Sequence, residues 1–136
     1  PVCYNGDIFT ISDYETLCGD YPELDRVMLG RGIISNPGLL DRIAAGTNSD
    51  GSGTDKETLK RFHQMIYEGY RQIMSGDRNV LFKMKELWAC MIQIFSDNGK
   101  YIKRIKKSQR LEEYETAAAA VFRDLDILEG AGFRTY

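Results

Sequence analysis

Two short turns hold the residues best suited to grip an anion. Asn5-Gly6-Asp7 follows the apolar run Val2-Cys3-Tyr4, and Gly30-Arg31-Gly32 follows Arg26-Val27-Met28-Leu29. Glycine lets backbone N–H groups come close to a phosphate oxygen because no Cβ intervenes. The guanidinium of Arg31 adds a planar, permanently charged fork that can pair with an anion through two hydrogen bonds. Either tripeptide alone reads more simply as a tight turn. Their recurrence after successive apolar runs, about one strand–helix unit apart, favours the anion reading, because parallel sheets bind ligands beyond the carboxyl ends of their strands.

These turns need strands and helices to aim them. Val2-Cys3-Tyr4 and Arg26–Leu29 are the strand candidates. Between them, Ser12-Asp13-Tyr14-Glu15 has the S-x-x-E form of a capping box, which predicts a helix starting at Ser12, and Tyr21-Pro22 stops it. Asn36-Pro37 then predicts an N-cap and first-turn proline for a helix running to Ala45, with Gly46 ending it. This is the βαβα rhythm of a parallel sheet. Two parallel strands cover neither their faces nor their edges, so the segment calls for a larger sheet. In a (β/α)8 barrel the loops after the last two strands commonly hold a phosphate.

Residues 46–54 read Gly-Thr-Asn-Ser-Asp-Gly-Ser-Gly-Thr, with no apolar side chain to anchor them, and place the domain boundary. The expected division is residues 1–48, a linker at 49–54, and a second unit at 55–136. That second unit reads as helical throughout. Thr54-Asp55-Lys56-Glu57 is another capping box, and Leu59, Phe62, Ile66, Tyr70 and Ile73 recur at spacings of three and four as one apolar stripe. Gly76 breaks the run. Val80-Leu81, Met84, Leu87-Trp88, Met91 and Phe95 form a second stripe, closed by Asn98-Gly99. A short basic helix follows around Tyr101-Ile102 and Ile105. The last helix is expected to carry Tyr114, Ala117-Ala118, Val121-Phe122, Leu125 and Leu128 before Gly130 and Gly132 end it. Four amphipathic helices with short connections predict a compact antiparallel bundle.

Charge is distributed unevenly. The net charge is −2, yet residues 1–53 hold three arginines against eight acids, and residues 78–110 hold nine Lys/Arg against Glu86 and Asp97 alone. A local excess of that size attracts a polyanion, or else coats a solvated helix face. Apolar residues at 43% and charged residues at 28% suit a globular protein and exclude a wholly disordered or collagen-like chain. No stretch reaches the ~20 apolar residues of a membrane helix. Cys3, Cys18 and Cys90, with His63 as the single histidine, encode neither a disulfide framework nor a zinc site, so no metal and a reducing, cytoplasmic setting are expected. All three thiols read as buried or half-buried apolar groups. His63 reads as a surface or boundary residue and Trp88 as core. Tyr67, Tyr70, Tyr101 and Tyr114 read as core or rim.

The stretch Asn5-Gly6-Asp7-Ile8, then Val27-Met28-Leu29-Gly30-Arg31-Gly32, then Asn36-Pro37 resembles the end of the barrel in the tRNA-dihydrouridine synthase family. Phe62, Tyr67 and Tyr70, then Lys83-Met84-Lys85-Glu86 with Trp88, then the basic run Lys100–Lys107 resemble that family's C-terminal helical domain. Gly38 departs from the pattern, which carries a bulky aromatic after Asn-Pro. The resemblance implies a mainly α chain: a four-helix-bundle-like, tRNA-binding domain preceded by the last two βα units of an FMN-binding (β/α)8 barrel. It implies FMN as cofactor, NADPH as reductant, and reduction of uridine to 5,6-dihydrouridine in tRNA. Asn5, Gly6, Asp7, Gly30 and Arg31 would bind FMN. Lys100, Lys103, Arg104, Lys106, Lys107 and Arg110 would meet tRNA phosphates, with Lys83 and Lys85 behind them. The family's catalytic cysteine matches none of Cys3, Cys18 or Cys90 and is expected upstream. With an opening at Pro1 inside an apolar run, the chain reads as a fragment, inactive by itself. Two other readings stay open at this point, a stand-alone helical RNA-binding module without redox activity and part of a flavin oxidoreductase acting on a small molecule.

Overall fold

The computed structural model describes residues 1–45 and 55–128, and 68% of them are helical. The expected linker, the Thr54 position and the C-terminal glycines lie outside the described residues. In the first part the order is β1 (Cys3–Tyr4), α1 (Ile11–Asp20), β2 (Arg26–Val27), α2 (Arg31–Ser35) and α3 (Leu39–Ala45). The strands pair in parallel, Cys3 with Arg26 and Tyr4 with Val27, and Met28 N–H donates to the Tyr4 carbonyl at 2.8 Å just beyond them. The expected strand–helix alternation is therefore present, with shorter strands.

Three local expectations shift. Helix α1 is capped by Thr10, two residues before Ser12. The Thr10 hydroxyl accepts from Asp13 N–H while the Asp13 carboxylate accepts from Thr10 N–H, a reciprocal box using Asp where Glu15 was expected. Gly30-Arg31-Gly32 is the start of a helical turn, α2, rather than a loop. Asn36 ends α2 and is not the cap of a helix beginning at Pro37. Its φ of −140° and ψ of 81° lie outside the helical region, which the following proline disfavours, so α3 begins only at Leu39. Gly32 sits where a Cβ would collide with the Ile8 carbonyl oxygen. That close approach lets α2 lie against the chain leaving β1.

The second part holds α4 (Lys56–Ile73), α5 (Asp77–Met91), a 3-10 turn at Ile92–Ile94, α6 (Gly99–Lys107) and α7 (Leu111–Asp124). Asp55 caps α4 by accepting from Thr58 N–H at 2.8 Å. Gly76, at φ +84°, makes the break into α5 that an L side chain would resist. Helix α7 stops at Asp124, short of the expected Leu125 and Leu128. The chain there turns extended and pairs with the end of the 3-10 turn, Leu128 N–H donating to the Ile94 carbonyl at 2.8 Å and Ile127 bridging Phe95.

One core is built around Trp88, Tyr114, Phe95, Met84, Met91, Ile105 and Val121, all almost fully buried. The stripe on α4 is rotated from expectation. Leu59, His63 and Tyr67 form its buried line, Phe62, Ile66 and Tyr70 flank it, and Ile73 is 79% exposed at the helix end. A smaller cluster of Ile8, Leu17 and Leu39 serves the first part. Ile34 of α2 packs on the larger core, so the first part leans on the second through α2 and α5. Val2, Tyr21, Met28 and Leu40 remain more than half exposed around the two-stranded sheet. No helix of the described residues is long and apolar enough to cross a membrane.

Candidate functional site

The two glycine turns meet in space. Parallel pairing of β1 with β2 brings both strand ends to one edge, and there Arg31 Nη2 donates to both carboxylate oxygens of Asp7, at 2.6 and 2.8 Å. The Arg31 side chain is 52% exposed and that of Asp7 28%. Around Gly30 a Cβ would meet nothing within 4 Å, so its backbone borders open space. The turn thus offers an exposed guanidinium next to an uncrowded glycine. Asp7 sits at the guanidinium's other side, where it fixes the planar group and offsets part of its charge. Asn5 and Gly6 lie between β1 and this pair, Gly6 packed under the Tyr4 ring.

The helical part reaches the same place. Contacts between α2 and α5 put Cys90 near the Arg31–Asp7 pair, and burial raises its thiol pKa. Cys90 and Cys18 are half-buried, as expected, whereas Cys3 is exposed, because β1 is an edge strand with one uncovered side. Among the described residues no three His, Cys, Asp or Glu side chains gather as metal ligands.

The basic residues fall into two groups. Lys100, Lys103, Arg104, Lys106 and Lys107 all point outward from α6, opposite the buried Ile105, and make no ion pair among the described residues. Five unpaired cations on one short helix form a surface whose mutual repulsion a polyanion would lower. Lys85 and Lys83 are otherwise engaged. Lys85 Nζ donates to the carbonyls of Lys106 and Ser108, at 2.9 and 2.6 Å, capping the end of α6 with a positive charge. Lys83 pairs with Glu86 at 2.9 Å. Arg110 stands exposed at the start of α7.

Sequence reasoning placed His63 at the surface, but the structure buries it, 6% exposed, against Trp88, Tyr114 and Phe122. Its Nε2 lies 2.6 Å from the Tyr114 hydroxyl, which also accepts from Trp88 Nε1 at 2.8 Å. These short contacts suit a neutral His63, whose tautomer sets which of the two groups, imidazole or hydroxyl, donates. Burial agrees, pushing the His63 pKa down to about 4. The signal that could have found this is the i, i+4 spacing of Leu59, His63 and Tyr67. Tyr67 in turn donates to Glu115 at 2.6 Å, under the guanidinium of Arg71. Tyr67 and Tyr114 are core and Tyr70 and Tyr101 rim, as their helical spacing predicts.

Comparison with known proteins adds an independent line. The family model described as dihydrouridine synthase (Dus) matches residues 1–130. A tRNA-dihydrouridine(16) synthase of Aquipseudomonas alcaligenes is 44% identical over 45 residues, 33% of this chain, and the match spans only 14% of that relative's length. A single family match that runs from the Asp7 turn through the last helix covers both the paired strand ends and the basic helices, and on that ground the chain belongs to the dihydrouridine synthase family.

Proposed function

We propose that this chain is the C-terminal part of an FMN-dependent tRNA-dihydrouridine synthase, a cytoplasmic enzyme that uses NADPH to saturate the C5–C6 bond of a uridine in tRNA. The observation that carries the reading is the family match, which spans both the strand-end turns and the helical region. In this reading residues 1–45 are the last two βα units of a (β/α)8 barrel. The exposed Val2, Met28 and Leu40 around a two-stranded parallel sheet support a larger sheet as their proper cover.

The residues at the strand ends fit a phosphate group, since the Arg31 guanidinium is exposed beside the open backbone of Gly30. FMN, when bound, supplies the two-electron chemistry. Gly30 and Arg31 hold its phosphate, and Asn5 and Gly6 line the loop beside it. Asp7 keeps the guanidinium aimed. None of the three cysteines acts as the proton donor to uracil, a role assigned to a residue upstream. The outward cations of α6, with Arg110, bind tRNA phosphates, which makes affinity fall steeply with salt.

Joining this chain to the barrel portion of the Aquipseudomonas relative tests the reading. The chimera is expected to keep FMN through gel filtration and to form dihydrouridine in tRNA, scored by mass spectrometry of digested nucleosides. Arg31→Ala is expected to weaken FMN retention at least about tenfold, the value of one charge-assisted contact. Equal retention overturns the anion turn, and a flavin-loaded chimera that leaves tRNA unmodified overturns the enzyme assignment.

A further inference from the structure

A groove of about 680 Å³ opens between the first turns of α5 and α7. On its α5 wall stands Phe82, 66% exposed, although every other aromatic of α5 and α7 is buried. It lies off the apolar stripe, one turn from Arg78 on one side and Lys85 on the other. Arg78 and, on the α7 wall, Arg110 also line the groove, and neither guanidinium makes a hydrogen bond or ion pair among the described residues. The core gains nothing from an exposed phenyl ring, and the fold gains nothing from two unpaired guanidinium groups beside it. Together they form the pair of features that single-stranded nucleic acid requires, a flat ring for a base and cations for the backbone.

We propose that this groove takes an unpaired nucleotide of an RNA strand, its base on the Phe82 ring and its flanking phosphates between Arg78 and Arg110. The inference rests on the reading above that the helical part binds RNA, and it gives that surface a preference for single strands. Asp77 and Glu112 also line the groove and nearly balance its charge. That balance disfavours a compact polyphosphate and suits a strand that brings one phosphate per base. The groove is continuous with the basic face, because the bonds from Lys85 to the Lys106 and Ser108 carbonyls hold the end of α6 at its wall. An RNA lying along Lys100–Lys107 therefore runs into it. Only an unstacked base exposes a face to the ring, so a paired duplex gains nothing from Phe82.

The chain itself suffices for the test, by fluorescence anisotropy with a labelled oligouridylate of about eight nucleotides and a fully paired RNA duplex. Phe82→Ala and Phe82→Leu are expected to weaken oligouridylate binding about tenfold while duplex binding holds, because leucine keeps apolar area but has no π-face. Phe82→Trp is expected to keep affinity and show indole quenching on adding the oligouridylate, against the buried background of Trp88. Unchanged oligouridylate affinity in Phe82→Ala overturns the groove. If the double variant Lys103→Glu, Lys107→Glu then weakens both RNAs, RNA binding by the basic face stands without it. Failure of the unaltered chain to bind either RNA overturns both.

Discussion

In residues 1–45 the buried apolar side chains gather around Ile8, Leu17 and Leu39, under two strands of two residues each. In residues 55–128 they surround Trp88, Tyr114 and Phe95, with contributions from every helix. The first part borrows stability by setting Ile34 into the larger core, and its sheet leaves Val2 and Met28 uncovered. The second has its polar groups closed into networks, with no buried side-chain nitrogen or oxygen unpartnered among the described residues. The contrast bears on where each proposed function sits. An anion turn can rest on a weakly packed unit if a rigid helix holds it from behind, whereas a surface that binds a long polyanion needs a core able to bear unpaired charge.

Three experiments break or sharpen that contrast. Trp88→Ala removes the largest fully buried side chain and orphans a hydrogen bond to Tyr114. The helical part is expected to lose about 3–5 kcal/mol in denaturant unfolding. A loss under about 1 kcal/mol would mean that the core is not where the stability lies.

Acid comes next. The His63 pKa is held at about 4 in the folded chain against an ordinary 6.5, so the unfolded state takes up a proton first as pH falls. Stability is full above about pH 6.5 and drains away toward pH 4, by up to about 3 kcal/mol from this residue. Denaturant midpoints of the unaltered chain and of His63→Gln across that range check it, the variant showing the shallower slope. Parallel slopes would show that His63 is solvated.

The smallest effect is expected at Gly32, where an added Cβ meets the Ile8 carbonyl. Gly32→Ala should cost about 1–3 kcal/mol through backbone displacement. The cost should stay in the first part. Amide exchange is expected to quicken across α1 to α3 with α4 to α7 unchanged, and uniform quickening would mean that the two parts unfold as one.

Much of the helical part was legible in the residues. The stripe Val80-Leu81, Met84, Leu87-Trp88 and Met91 predicts α5 because period alone states which side of a helix is apolar. The α4 face is not legible in this way, because His63 counts as polar until Tyr114, fifty-one positions away, shares a hydrogen bond with it. The end of α7 escapes the period for a similar reason, since Phe95 and Ile94 compete for the backbone of Ile127 and Leu128. At the candidate site, glycines after strands were visible, while the Arg31–Asp7 pair was not, spanning twenty-four positions.

Residue order by itself determined the strand–helix alternation, the helix breaks at Gly76 and Asn98-Gly99, and the basic run of α6, since each depends on neighbours within a turn or two of chain. The tertiary structure alone decided which cations are spent and which are free. Lys85 is drawn to the end of α6 and Lys83 to Glu86, while Arg78 and Arg110 are left beside Phe82. Charges and rings act at a few ångströms through space, and a sequence states only distance along the chain.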